Sequence, residues 1–178
     1  MKQFMKVIAS ILGSTVILTG AGFGQTTPKL SDPEIASVAV TANQIDINNA
    51  KIAKQKSKDA AILKFAQTMY DDHSAVIKQA VALVTKLNVT PKNNAVSKKL
   101  LSDAARTQKD LRAKSGKDFD RAYIDNEVAY HKAVIAAIND LLIPQSQNAE
   151  LKKFLQDVIP AFNAHLEHAE MVQKTISK

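Results

Sequence analysis

This 178-residue chain predicts an all-α fold: two antiparallel helical hairpins joined by one long crossover that carries an additional helix. Three observations predict it. Apolar residues recur at three- and four-residue steps through every long segment after residue 30, and no strand-like alternation occurs. Ser57-Lys-Asp-Ala-Ala-Ile-Leu-Lys-Phe-Ala-Gln67 aligns with Ser146-Gln-Asn-Ala-Glu-Leu-Lys-Lys-Phe-Leu-Gln156 at a constant offset of 89, so the opening of a hairpin's second helix occurs twice. Between the hairpins, Val89 to Gly116 is long enough for a helix of about 20 residues at 1.5 Å rise, which runs the length of a bundle.

The elements follow in order. Residues 1–24 read as a signal peptide: Lys2 and Lys6 precede the apolar run Val7 to Leu18, and Gly22-Phe-Gly24 places small residues before a cut ahead of Gln25. The run is short for a membrane span, which takes about 20 residues, so the mature chain is expected to lack a transmembrane domain. Residues 25–30 read as a polar linker and residues 31–178 as the bundle. Ser31-Asp32-Pro33-Glu34 is a helix start, with an inner stripe of Ile35, Val38, Ala39, Ala42, Ile45, Asp46, Asn49, Ile52 and Ala53 behind it. The second helix runs from Asp59 to about Asn88, with His73 at an inner position. The crossover helix covers Ala95 to Lys114 and leads to Gly116 as its C-terminal cap. Lys117 to Leu142 forms the next helix, with His131 and Glu127 one turn apart at the border of its buried face. Ile143 to Ser146 makes a turn. The last helix spans Asn148 to Ser177, is kinked by Pro160, and buries Val158, Ala161, Phe162, His165, Ala169, Val172 and Ile176.

Composition narrows the function classes. There is no cysteine, so neither a disulfide nor a thiolate site or nucleophile is available in the oxidising compartment to which export points. Removing the leader lowers the net charge from +7 to +5, with basic residues spread among acids and only nine aromatics, so no nucleic-acid partner is expected. Weak association with an anionic envelope surface fits that charge. Four of the five glycines precede residue 25, which rules out a glycine-rich phosphate loop in the bundle. Ser74 beside His73 has no triad geometry, because helix neighbours point apart. Tyr123 and Tyr130 read as core, and His168 as solvent-facing.

With one crossover the second and third core helices run parallel, and helix counting brings His73, His131 and His165 within about 3 Å of one level. Asp46 has the inward phase at that level on the first helix. Two readings follow. In one, Asp46, His73, His131 and His165, with Glu127 as a further ligand or as an acceptor fixing an imidazole, hold one Zn, Cu or Fe ion. In the other, the same side chains form a hydrogen-bonded polar layer that sets helix register. Carboxylate-bridged di-iron chemistry is excluded on motif grounds. It takes Glu-x-x-His pairs, and the residues three before the histidines are Tyr70, Val128 and Phe162.

The exported start, FAQTMYDDHSAV around His73, FDRAYIDNEVAYHKAVI around His131 and IPAFNAHLEHAEMV around His165 together resemble the secreted bacterial family called domain of unknown function 4142 (DUF4142). The resemblance covers the mature chain from about Ser31. It implies a ferritin-like four-helix bundle, an envelope location and no established activity, and in that family an acidic residue is common at the position of Asp46. The resulting expectation is an exported, non-enzymatic envelope protein, with the binding of one transition metal by the buried layer standing open beside the metal-free polar layer. A metal-dependent oxidoreductase or hydrolase at the same residues and a metal-free partner-binding module stand as alternatives. Mass spectrometry of the protein recovered from the cell envelope is expected to give an N-terminus at Gln25; an N-terminus at Met1 contradicts the cleavage.

Overall fold

The computed structural model describes residues 28–176. The signal-peptide segment lies outside them. The helices are α1 (Asp32–Lys56), α2 (Ala60–Lys86), α3 (Ala95–Ala113), α4 (Gly116–Ala137), a π-helical turn (Ile138–Leu142) that runs into the short α5 (Ile143–Gln145), and α6 (Ala149–Ile176). Among the described residues there is no strand.

Local chemistry accounts for the ends. Ser31 and Glu34 close a capping box at α1, and Pro33 occupies the first turn, where no N–H is needed. Asp59 caps α2 by accepting from the N–H groups of Ala61 and Ile62, and Asn148 caps α6 by accepting from Glu150 and Leu151. Asp59 and Asn148 are themselves 89 residues apart, so the sequence echo is a repeated helix start. Its register continues inward through the buried pairs Ile62 and Leu151, Ala66 and Leu155, and Met69 and Val158.

Hydrogen bonds between helix ends define the path. The Ser37 hydroxyl meets Asn93, and Lys56 reaches the carbonyl of Arg112, so α3 runs parallel to α1 along its whole length. Ser57 donates to Asp120 at 2.5 Å, joining the starts of α2 and α4, which are therefore parallel. Asp32 accepts from the N–H groups of Gln147 and Asn148, setting α6 parallel to α1. The chain thus forms a helical bundle of two antiparallel hairpins, α1–α2 and α4–α6, with α3 as the single crossover packed on α1.

Several details differ from the sequence expectation. Described residues of the linker are pinned: Gln145 bonds both the Leu30 N–H and the Pro28 carbonyl, and Leu30 is buried. Gly116 does not cap α3, which ends with Lys114 in an extended conformation. It opens α4 instead, at φ +55°, because only two residues separate the helices and the reversal needs a left-handed backbone. The expected turn at Ile143 to Ser146 begins as helix. Pro144 supplies no N–H and crowds the preceding turn, and the wider π turn ahead of it absorbs the mismatch while turning Ile138 and Leu142 inward. α6 continues through Pro160, which is exposed, and Ala161 beside it is exposed rather than buried. α1 is wrapped by α2, α3 and α4, so Ala36, Asn43, Ile47 and Ala50 are buried in addition to the predicted stripe.

Two apolar clusters result. One gathers Ile62, Phe65, Met69, Phe119, Tyr123 and Val172 at the end where α2 starts. The other gathers Ile35, Val38, Leu142, Leu151, Leu155 and Phe162 at the opposite end. Phe65 is fully buried and its echo partner Phe154 only partly. Phe65→Ala is therefore expected to cost about 3–5 kcal/mol in urea unfolding and Phe154→Ala clearly less; equal losses would contradict the packing asymmetry.

Candidate metal centre

Between the two apolar clusters lies a layer of buried ionisable side chains. Asp46 comes from α1, His73 from α2, Glu127 and His131 from α4, and His165 from α6, with exposures of 0, 3, 0, 1 and 5 per cent. All five residues singled out from the sequence meet here. His131 and Glu127 lie at the centre of the buried face of α4, not at its border, because Asp120, Ile124, Glu127 and His131 form the inward line.

The three imidazoles form a triangle with ring centroids 5.6 Å (His73 to His131), 5.2 Å (His73 to His165) and 5.6 Å (His131 to His165) apart. Each has one nitrogen committed to an outer partner. His73 Nδ1 is 2.8 Å from Asn43 Oδ1, and since the Asn43 amide nitrogen donates to the Ala39 carbonyl, that oxygen accepts. His131 Nδ1 donates to the Glu127 carbonyl at 3.0 Å. His165 Nε2 donates to Asp72 Oδ2 at 2.9 Å. The tautomers are thereby assigned, and the remaining nitrogens, His73 Nε2, His131 Nε2 and His165 Nδ1, carry lone pairs with no hydrogen-bond partner in the protein.

Both carboxyl groups share this condition. Neither oxygen of Asp46 or of Glu127 has a hydrogen bond. The amides of Asn126 and Asn49 lie near enough to Glu127 to favour its ionised form, but neither meets hydrogen-bond geometry. Asp46 Oδ2 stands 3.5 Å from His73 Nε2 and 3.7 Å from His131 Nε2, and Glu127 Oε2 stands 3.7 Å from His131 Nδ1. These gaps are too wide for hydrogen bonds. The two gaps from Asp46, both to unbonded Nε2 atoms, are close to the ~3.3 Å that separates two ligands on one tetrahedral ion with bonds of ~2.0–2.1 Å. Ligand atoms of His73, His131 and His165 all lie within 4.8 Å of one another, as do those of Asp46, Glu127 and His131. A chamber of about 10 Å³, bounded by Asp46, His73 and His131, sits between them. Its size suits one ion.

Burial sets the charge state of the layer. It alone pushes the Asp46 carboxyl up to about 8. It raises Glu127 well above the usual carboxylate range, with the neighbouring Asp46 charge adding to the effect. Burial, then the charges of His131 and His165, hold His73 well below its ordinary value. His131 falls to about 4, chiefly through burial, against the opposing pull of the Glu127 carbonyl. Tyr123 and Tyr130 are raised by burial and by the same two carboxyls. Without an ion, Asp46 and Glu127 are therefore held toward their acid forms near neutral pH, and His73 and His131 toward their free-base forms.

The outer partners escaped the sequence reading. Asn43 lies three residues before Asp46, hence on the same face, a spacing that could have flagged it. Asp72 was visible beside His73 yet serves His165 across the helix interface, which no local pattern encodes. Asn49, placed on the inner stripe of the first helix, accepts from Gln108 at 3.2 Å. Tyr123 is core, as expected, but its hydroxyl has no hydrogen bond and faces the carboxyl charges. His168 is not free in solvent: its ring packs edge-on against Phe65 at 5.2 Å.

Fold and site define a helical bundle with a buried histidine–carboxylate layer supplied by four helices. The chain belongs to the family described as domain of unknown function (DUF4142), whose model matches residues 20–172. Comparison with curated proteins and with solved structures finds no match.

The charge state predicts a pH profile for chelator-treated protein. Asp46 and Glu127 bind protons in the folded state that the unfolded chain has already lost above its carboxyl values of 3.8 and 4.5, so both contributions decline with rising pH, that of Asp46 being lost as pH rises through about 8. His73 and His131 act oppositely, contributing above 6.5 and losing it as pH falls toward 4. The two effects offset each other between about 4 and 6.5. Above 6.5 only the carboxyls remain, and the melting temperature is expected to fall from pH 6.5 to 8; a rise over that window would overturn the assignment.

Proposed function

We propose that this protein is an exported, ferritin-like bundle of the cell envelope that binds one first-row transition ion without itself being an enzyme. The observation that carries the reading is the set of unspent lone pairs on Asp46, His73 and His131, from three helices around one chamber, with the free Nδ1 of His165 from a fourth helix in the adjoining histidine cluster. A register-setting polar layer would be hydrogen-bonded internally, and its members stand too far apart for that. Three imidazoles and a carboxylate, with no thiolate, suit Zn, Cu or Fe. The outer bonds from Asn43, the Glu127 carbonyl and Asp72 orient each ring as second partners do around bound metals. Glu127 supplies a further ligand or balances the charge.

The ferritin-like assignment draws on the parallel pairs α1–α6 and α2–α4 and the crossover along α1. Export draws on Lys2, Lys6 and the apolar run that follows them. No helix among the described residues is long and apolar enough to cross a membrane. The net charge of +5 left after the leader supports weak attraction to anionic envelope polymers.

The ion must displace the proton from Asp46, so affinity is expected to climb as pH approaches 8. The test is titration calorimetry and elemental analysis of untagged, chelator-stripped protein with Zn(II), Cu(II) and Fe(II). One ion per chain is expected, lost in His131→Ala, with Asp72→Asn weakened by ~10–100-fold at unchanged stoichiometry. If wild type retains no more of any of the three ions than His131→Ala does, the reading fails.

A further inference from the structure

An apolar cleft of about 260 Å³ opens between the crossover helix α3 and the bundle, walled by α1, α4 and α6. Packed interiors hold few voids larger than a water molecule, so a gap of this size is a feature of the fold and not slack in the packing. Three observations specify what suits it.

The first is charge. Asp103 is the one ionisable side chain besides Tyr130 on its wall, and Lys99 and Arg106 both bond that carboxylate at the outer edge of α3. Of the polar groups deeper in, Asn43 serves His73 and Ala39, the Tyr130 hydroxyl donates to the Ala42 carbonyl at 2.9 Å and Asn49 accepts from Gln108, while the Asn126 amide nitrogen has no hydrogen bond. A charged occupant would lose its hydration with one neutral amide, that of Asn126, and no opposite charge in return. The second is size. At the ~30 Å³ a water-sized group takes up in a liquid, the cleft holds about nine non-hydrogen atoms. The third is continuity. Asn43, Tyr130, Val134 and Phe162 line both this cleft and the small chamber beside Asp46, and the Phe162 ring packs on His73 with centroids 5.1 Å apart.

We propose that the cleft is a binding site for a neutral, chain-like aliphatic molecule about the size of 1-octanol, lying along α3 with its inner end at Phe162. The site does not require the metal reading, since its walls are apolar and the ligand set lies beyond Phe162.

The experiment uses 1-octanol as probe on the full chain, in chelator-stripped and zinc-treated samples, followed by methyl NMR. Octanol is expected to shift methyl signals of Val38, Leu100, Val134 and Val158 in both samples. Octanoate and octyltrimethylammonium are expected to bind at least tenfold more weakly. Ala104→Phe on α3 and Ala137→Phe on α4, both half-buried, are expected to weaken octanol at least tenfold while melting and zinc uptake stay as in wild type. Shifts scattered over the surface, equal binding of the charged probes, or undiminished binding by folded Phe variants would overturn the proposal. Octanol binding by a protein that takes up none of zinc, copper and iron would support the cleft while removing the metal reading.

Discussion

Burying two carboxyl groups and three imidazoles at the middle of an otherwise apolar bundle is the constraint from which the rest of the structure follows. Each group loses hydration on folding, and a buried polar atom without a partner is among the costliest features a fold can carry. The chain meets this on the outside of the layer. Asn43, the Glu127 carbonyl and Asp72 each bond one imidazole nitrogen, so every ring is held in one orientation. On the inside the demand is unmet: seven oxygen and nitrogen atoms of these five side chains have no hydrogen bond.

That division places the chemistry. Apolar clusters above and below the layer keep water away, and the same desolvation drives Asp46 and Glu127 toward their protonated forms and His73 and His131 toward their free-base forms. A cation entering such a site exchanges protons for metal bonds. The crossover helix contributes to the same end. By packing along α1 it encloses the helix that carries Asp46, and by standing off from α4 it leaves the apolar cleft that reaches Phe162 and, through its ring, His73.

Much of the architecture was legible along the chain. Helix periodicity located all the long helices, the Ser57 and Ser146 echo marked two equivalent helix starts, and the length of residues 89–116 required a crossover. The echo also shows where local reading stops. His73 is matched in register by Phe162, not by His165, so the repeat carried the fold and not the histidines. Gly116 and the segment around Pro144 were misassigned because a glycine beyond one helix is equally a glycine before the next, and because a proline that ends a regular helix can follow a π turn. The depth of Glu127 and His131 was underestimated because the aromatic line through Tyr123 and Tyr130 suggested a face rotated from the true one.

By itself the sequence determined the helical class, the number and order of the long helices, and the inward phase of Asp46, His73 and His165, since periodicity and capping are local and one-dimensional. Tertiary structure alone decided that Asp72 on α2 serves His165 on α6, that Asn43 fixes the His73 tautomer, and that Asp46 Oδ2 stands 3.5 and 3.7 Å from the free nitrogens of His73 and His131 beside one chamber. Those distances depend on how far apart the helix axes lie and how each helix is rotated. Side-chain packing between helices sets both, and no residue spacing within a single helix records it.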